Sequence, residues 1–162
     1  MAPADLLRPL EGQREETLRV IESLTPADLD IVVRGDGRTI QQLLCHLVDR
    51  EHGINFAIRR AVAGDVLHLS QEEKEQISRW EMDPAPADWD LARIRSELVD
   101  ARESLRQTFV AMTEEDLGLP IRWPEWPART IRTSIPYMLE HEDSHLDELR
   151  EAIERERGAA AS

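Results

Sequence analysis

Apolar residues return every three to four positions through four long stretches of the chain, the spacing that gathers side chains on one face of an α-helix. The first stretch runs from about Ala4 to Leu24, with Leu7, Leu10, Thr17, Leu18, Ile21 and Leu24 on one side. The second opens at Thr39, whose hydroxyl can cap a helix, and carries Ile40, Leu43, Leu47, Ile54 and Ile58. It is expected to end near Gly64, which adopts the left-handed cap conformation without a Cβ penalty. The third is the most regular: Leu91, Ile94, Leu98, Ala101, Leu105, Thr108 and Met112 follow Asp88 and Asp90, either of which can cap it. Pro84 and Pro86 keep the segment before it non-helical. The fourth covers about Ile131 to Glu156 with Ile131, Ile135, Met138, Leu146, Leu149 and Ile153. Pro136 lacks an N–H, which places the start of the regular helix around Ile135. No strand-like alternation competes with these patterns. The reading is an all-α fold in one domain, residues 1–157, with a disordered tail over 158–162.

The connection from Ala63 to Trp89 is too long for a helix–helix turn and allows a crossing of the bundle, so the second and third helices need not be antiparallel neighbours. Within it Ser70-Gln71-Glu72-Glu73 has the form of a capping box and predicts a short polar helix to Arg79. A weak internal repeat runs through the chain. Leu24-Thr25-Pro26-Ala27-Asp28-Leu29 after the first helix matches Met112-Thr113-Glu114-Glu115-Asp116-Leu117 after the third. Each is followed by Arg-Thr-Ile, at Arg38-Thr39-Ile40 and Arg129-Thr130-Ile131, opening a helix that bears histidine. A duplicated helix pair would make His46 and the His141/His145 pair quasi-equivalent contributions from two halves.

Composition narrows the function. At 162 residues and 41% hydrophobic content the chain can bury a core. No apolar run approaches the roughly 18–20 residues that span a bilayer. The opening MAPADLLRPL has neither a basic start nor an apolar export segment, so a cytoplasmic location is expected. One cysteine allows neither an internal disulfide nor a zinc ribbon, so any metal must be held mainly by His, Asp or Glu. With 20 Lys+Arg against 33 Asp+Glu, the formal net charge of -13 repels nucleic acid and anionic membranes. A small molecule is the expected partner, and a homodimer is compatible with everything above.

The chemistry lies in His141-Glu142-Asp143-Ser144-His145. Two imidazoles four residues apart share one helix face and can reach one divalent ion. With His141 at zero on a helical wheel, His145 falls at about 40° and the apolar positions at about 60–140°, so both histidines border the stripe. Glu142 lands near 100°, inside the stripe, where a carboxylate needs a partner. His46 occupies the matching margin of the second helix, beside Gly53, which leaves room above the ring, and Asp49, which could orient it or take a coordination position. His46, His141 and His145 are therefore the expected ligands of one divalent metal, with Glu142 or Asp49 managing protons or holding ligand tautomers. Neutral imidazoles suit zinc, nickel, copper or iron. His-Glu-x-x-His is also the zincin signature, but Glu148 and Glu151 stand where a metzincin continuation needs Gly and His, and no strand is present to hold a peptide.

His46 in the second helix, His141 and His145 in the fourth, and four helices in this length together resemble the DinB/YfiT-like superfamily of metalloenzymes. The resemblance is carried most specifically by Gln42-Leu43-Leu44-Cys45-His46-Leu47 and Leu139-Glu140-His141-Glu142-Asp143-Ser144-His145-Leu146, and it extends over roughly Leu6 to Arg155. It implies a four-helix bundle in up-down-down-up order and a zinc- or nickel-type ion on the three histidines. It also implies relatives that act as thiol-dependent S-transferases or maleylpyruvate isomerases, hence a low-molecular-weight thiol as cosubstrate. Metal-assisted hydrolysis and a non-enzymatic metal- or small-molecule-binding role are the competing functions. Cys45 points about 100° away from its histidine neighbour and reads as packing. His52 and His68 have no matching partners. The Trp123-Pro124-Glu125-Trp126-Pro127 run fits either a pocket mouth or a plug over the bundle end. Arg14 falls in the first apolar stripe, where it can pair with Glu142, bind an acidic substrate, or merely snorkel.

Overall fold

A computed structural model describes residues 1–64, 88–121 and 127–162, together with Glu72. Four helices carry the fold: α1 (Arg8–Glu22), α2 (Ile40–Val62), α3 (Leu91–Val110) and α4 (Ile131–Ala160). Short 3₁₀ turns at Pro3–Leu7, Pro26–Asp30 and Asp116–Gly118 precede or link them. The caps expected at Thr39 and Asp90 are in place, and Thr130 caps the fourth helix. Thr39 accepts a hydrogen bond from the Gln42 N–H, Asp90 from Arg93 and Thr130 from Thr133, so α2, α3 and α4 each start where a side chain satisfies an orphan amide. Gly64 takes a φ of 76° just past α2.

Cross-helix contacts fix the directions. Gln13 donates to the Leu139 carbonyl at 2.6 Å and Arg157 to the Ser23 carbonyl at 3.1 Å, so α1 and α4 are parallel. Gln41 donates to the Trp89 carbonyl at 3.5 Å and Thr108 to Asn55 at 2.7 Å, so α2 and α3 are also parallel. His46 meets His141 while Arg50 meets Tyr137, which makes α2 and α4 antiparallel. Arg14 reaches the Leu98 carbonyl and Arg102 the Leu10 carbonyl, which makes α1 and α3 antiparallel. The order is up-down-down-up. The α2–α3 pair is parallel, so the end of α2 and the start of α3 lie at opposite ends of the bundle, as the expectation that they need not be antiparallel neighbours allowed.

The repeat is visible in local structure. Thr25 donates its N–H and hydroxyl to Asp28 at 2.7 and 2.9 Å, and Thr113 does the same to Asp116 at 2.7 and 2.8 Å. Each box leads through a 3₁₀ turn into a short antiparallel pairing, Val32 with Thr39 and Pro120 with Thr130, and then into a threonine-capped helix.

Three expectations need correction. The strands Pro120–Ile121 and Arg129–Thr130 form a two-residue ladder where no strand was read; a pair this short has no alternation to detect. α4 begins at Ile131 rather than around Ile135, with Pro136 inside it. Arg132 and Pro136 are both exposed, so the carbonyl that Pro136 cannot bond faces solvent, and the Thr130 cap outweighs the lost bond. α4 also continues through Gly158 to Ala160, where a frayed tail was expected; the alanines favour helix and Arg157 is tied to Ser23. Apart from Glu72, the predicted helix from Ser70 to Arg79 lies outside the described residues, as do His68, Pro84, Pro86 and residues 123–126.

The core is divided. One apolar cluster gathers Leu7, Leu10, Ile54, Ile58, Leu105, Phe109, Ile131 and Ile135, and a second gathers Ile21, Leu43, Leu44, Leu47, Ile94, Leu98, Leu146 and Leu149. Between them lies a charged layer built from one residue of each helix: Arg14, Glu51, Arg102 and Glu142, exposed by only 4%, 3%, 7% and 4%. Arg14 binds Glu51 and, at 2.9 and 3.1 Å, both oxygens of Glu142. Arg102 binds Glu51 through Nε and Glu142 at 3.0 Å, and Thr17 donates to Glu142 at 2.7 Å. The remaining guanidinium donors reach the Leu98 and Leu10 carbonyls. Two cations and two anions cancel, and the polar atoms find partners, which is the condition for tolerating buried charge.

Removing one member should therefore be far worse than removing a surface ion. Arg102→Leu is expected to destabilise the fold by about 3–5 kcal/mol in urea unfolding, because two carboxylates lose a buried partner. Arg106→Ala, which breaks an exposed pair with Glu103 on the same helix, should leave the midpoint almost unchanged. Similar midpoints for the two variants would show that the layer is not what holds the helices together.

Candidate metal centre

The Thr39 box sets the phase of α2 so that His46, nearly two turns on, faces α4. There the i,i+4 pair His141 and His145 presents both rings on one side. The three Nε2 atoms converge: His46 to His141 is 3.3 Å and His145 to His141 is 3.2 Å. Their donor atoms all lie within 4.8 Å of one another. The His141 and His145 rings stand edge to face at 88°, and His46 is perpendicular to His145 at 90°. All three are half-buried.

Electrostatics keep His46 and His141 neutral. Burial, reinforced by Arg38 and the neighbouring histidines, holds His46 down to about 3. Burial, His145 and Arg50 hold His141 down to about 4, against a small opposing pull from Glu142. Three ring nitrogens brought this close are a cation-binding arrangement, since hydrogen bonding among them cannot satisfy all three. The spacing fits. Tetrahedral bonds of about 2.0–2.1 Å place donor nitrogens roughly 3.3–3.4 Å apart. The far nitrogen of His145, Nδ1, sits 2.7 Å from Glu148 Oε2, a carboxylate contact that leaves Nε2 turned toward the other two histidines.

A family model for the DinB superfamily matches residues 9–149. The chain belongs to the DinB superfamily. Among solved structures, it is similar to YfiT from Bacillus subtilis, described as a probable metal-dependent hydrolase with an unusual four-helix bundle topology. The TM-score is 0.72 at 15% identity, covering 96% of this chain and 87% of YfiT. It is also similar to a mycothiol-dependent maleylpyruvate isomerase, with TM-score 0.71 at 12% identity, covering 92% of this chain and 61% of the isomerase. This DinB chain thus spans under two thirds of the isomerase. At these identities the likeness concerns the fold. A comparison with curated proteins returns no match.

Within the DinB frame the expected acids part from the histidines. Glu142 is buried as its helical phase demands, but its four hydrogen bonds go to Arg14, Arg102 and Thr17. Burial favours its neutral form, yet the two guanidiniums and the Thr17 hydroxyl outweigh burial and hold its pKa below the ordinary carboxylate range. The proton-carrying role expected of it is therefore disfavoured. Asp49 is half-buried on α2 and belongs to neither of the two groups of converging donors among the described residues. The second group is Asp36, His145 and Glu148. Asp36 arrives on a turn between Gly35 and Gly37, whose φ angles of 85° and 81° suit glycine. Cys45 is buried with its thiol pushed up to about 12 by burial, Asp49 and Glu97, so it is inert packing. His52 is in neither group.

Four residues escaped the sequence reading. Glu51 lies four after Leu47 and three before Ile54, and Arg102 four after Leu98 and three before Leu105, so a charge inside an apolar stripe was the available signal. Glu148, one turn after His145, and Tyr137, one turn before His141, were visible only as helical neighbours. The repeat is also in a different register from the one expected. Counted from Thr39 and Thr130, His46 corresponds to Tyr137 and His141 to Arg50, so the histidines are not equivalent contributions.

The depressed histidines have a signed consequence. Unfolded, each takes up its proton near the ordinary value of 6.5, whereas folded it does so only near 3 or 4. The unfolded state binds more protons in that interval, so metal-free protein should lose stability as pH falls from about 6.5 toward 3. Urea midpoints of the metal-free protein at successive pH values should show this decline, and the His46→Gln/His141→Gln double variant should show a shallower one. An unchanged slope in the variant would place the sensitivity elsewhere.

Proposed function

We infer that His46, His141 and His145 hold one divalent ion, zinc or nickel, and that the chain is a metal-dependent enzyme joining a low-molecular-weight thiol to a small electrophile. The observation that carries this reading is the convergence of three imidazole donors, with His46 and His145 each 3.2–3.3 Å from His141, close to the spacing of ligands on one tetrahedral ion with a fourth position for a reactant. An ion held there supplies Lewis acidity, lowering the pKa of a coordinated thiol or water at neutral pH. Glu148 holds the His145 tautomer. Glu142, ionised in the charged layer, keeps α4 in register and so positions its sequence neighbour His141. Asp49, one turn from His46, is the acid assigned to proton traffic. The mycothiol dependence of the similarly folded isomerase supports the thiol, and the description of YfiT supports hydrolysis as the second reading. In S-transfer to an aryl chloride, a carbon–sulfur bond forms, the carbon–chlorine bond breaks, chloride leaves and the thiol proton passes to solvent.

Metal-loaded protein should release chloride from an activated aryl chloride only when a thiol such as mycothiol or cysteine is supplied, one thiol consumed per chloride. Thiol-independent cleavage of a p-nitrophenyl ester would favour the hydrolase, and inactivity in both assays would leave a binding protein. Metal content by mass spectrometry should fall from one per chain toward zero in His46→Ala and His145→Ala. Glu148→Ala should retain the ligands and weaken affinity by about 10–100-fold in a chelator competition. Full metal retention in both histidine variants would remove the site.

A further inference from the structure

We propose that Arg50, clipped to Tyr137, is the seat for a carboxylate of the substrate, one helical turn from the three histidines. This rests on the reading of those histidines as the reaction centre. Because α2 and α4 run antiparallel, the rung formed by His46 and His141 is followed by a rung formed by Arg50 and Tyr137. Arg50 Nη2 donates to the Tyr137 hydroxyl at 2.9 Å. The Arg129 guanidinium lies 3.8 Å over the Tyr137 ring, whose centre is 6.0 Å from that of His141. The phenol therefore holds two cations beside one of the candidate ligands.

The sign of the local field agrees. The formal net charge is -13, yet Arg38 and Arg50 are close enough to His46 and His141 to oppose their protonation. Among the described residues, Asp36 pairs with Arg38, Glu148 with His145, and Glu51 and Glu142 lie in the charged layer. A divalent cation on the histidines adds further positive charge, which an anionic reactant would balance. Arg50 also borders a cavity of about 20 Å³, lined beside it by Leu47, Ile54, Met138 and His141. That is room for about one water, so a ligand group would rest at its mouth rather than enter.

The duplicated frame argues against Arg50 and Tyr137 being only a clip between helices. Their positions correspond to those of His141 and His46, while the neighbouring Glu51 and Glu142 correspond to each other unchanged. One rung of the frame carries donors for a cation, and the adjacent rung carries a guanidinium, which matches a planar carboxylate through two parallel hydrogen bonds.

Succinate and its uncharged diamide are the probes, with binding measured by calorimetry on metal-free and metal-loaded protein. Succinate should bind and the diamide should not. Arg50→Met should weaken succinate about tenfold or more, as expected for losing a charged hydrogen-bond partner, with melting temperature and metal content unchanged. Arg50→Lys should recover part of the affinity, and Tyr137→Phe, which removes one partner of the guanidinium but keeps its charge, should weaken binding by less. Wild-type affinity in both Arg50 variants, or equal binding of succinate and diamide, would overturn the proposal while leaving the metal reading intact. Arg50-dependent succinate binding in a protein that takes up no metal would do the opposite.

Discussion

Four buried ions, one from each helix, are the constraint on which the remainder of the bundle depends. Apolar stripes alone let neighbouring helices slide by a turn at modest cost, since one leucine packs much like the next. Arg14, Glu51, Arg102 and Glu142 remove that freedom, because displacing any helix strands a charge between two apolar clusters. The histidines inherit this register. His141 immediately precedes Glu142, and Arg50 immediately precedes Glu51, so the layer that aligns the helices also aligns both rungs of the candidate site.

The frame is symmetric where it bears stress and asymmetric where it bears chemistry. Arg14 and Arg102 stand at matching distances before Thr25 and Thr113, and Glu51 and Glu142 at matching distances after Thr39 and Thr130. The Thr-x-x-Asp boxes match as well, down to their hydrogen bonds. At the site, His46 faces its counterpart's neighbour rather than its counterpart, and Tyr137 and Arg50 occupy the positions that a symmetric pair of metal centres would need.

Much of this could be read from the residues because it is local. Helix phase comes from three- and four-residue spacing, the starts of α2 and α3 from Thr39 and Asp90, and the histidine trio from matching margins of two stripes. What escaped depends on partners far away in the chain. Nothing near Glu51 announces Arg102, so only its unexplained charge within a stripe could have marked it. Glu142 was correctly placed inward, but which groups would meet it depended on the directions of α1 and α3, which spacing does not encode. Those directions came from family resemblance. Pro136 misled for a similar reason: its cost depends on whether the freed carbonyl meets solvent, a property of the whole fold.

The parallel pairing of α1 with α4 also bears on how the chain reaches this state. Arg14 and Glu142 are separated by 128 residues, whereas Glu51 and Arg102 are separated by 51. Closing the larger loop costs more chain entropy, and topologies rich in such distant contacts fold slowly. On a ribosome α1 emerges before α4, so Arg14 lacks its Glu142 partner until α4 has been made. Consolidation of the core then becomes a late, concerted event rather than a helix-by-helix accretion.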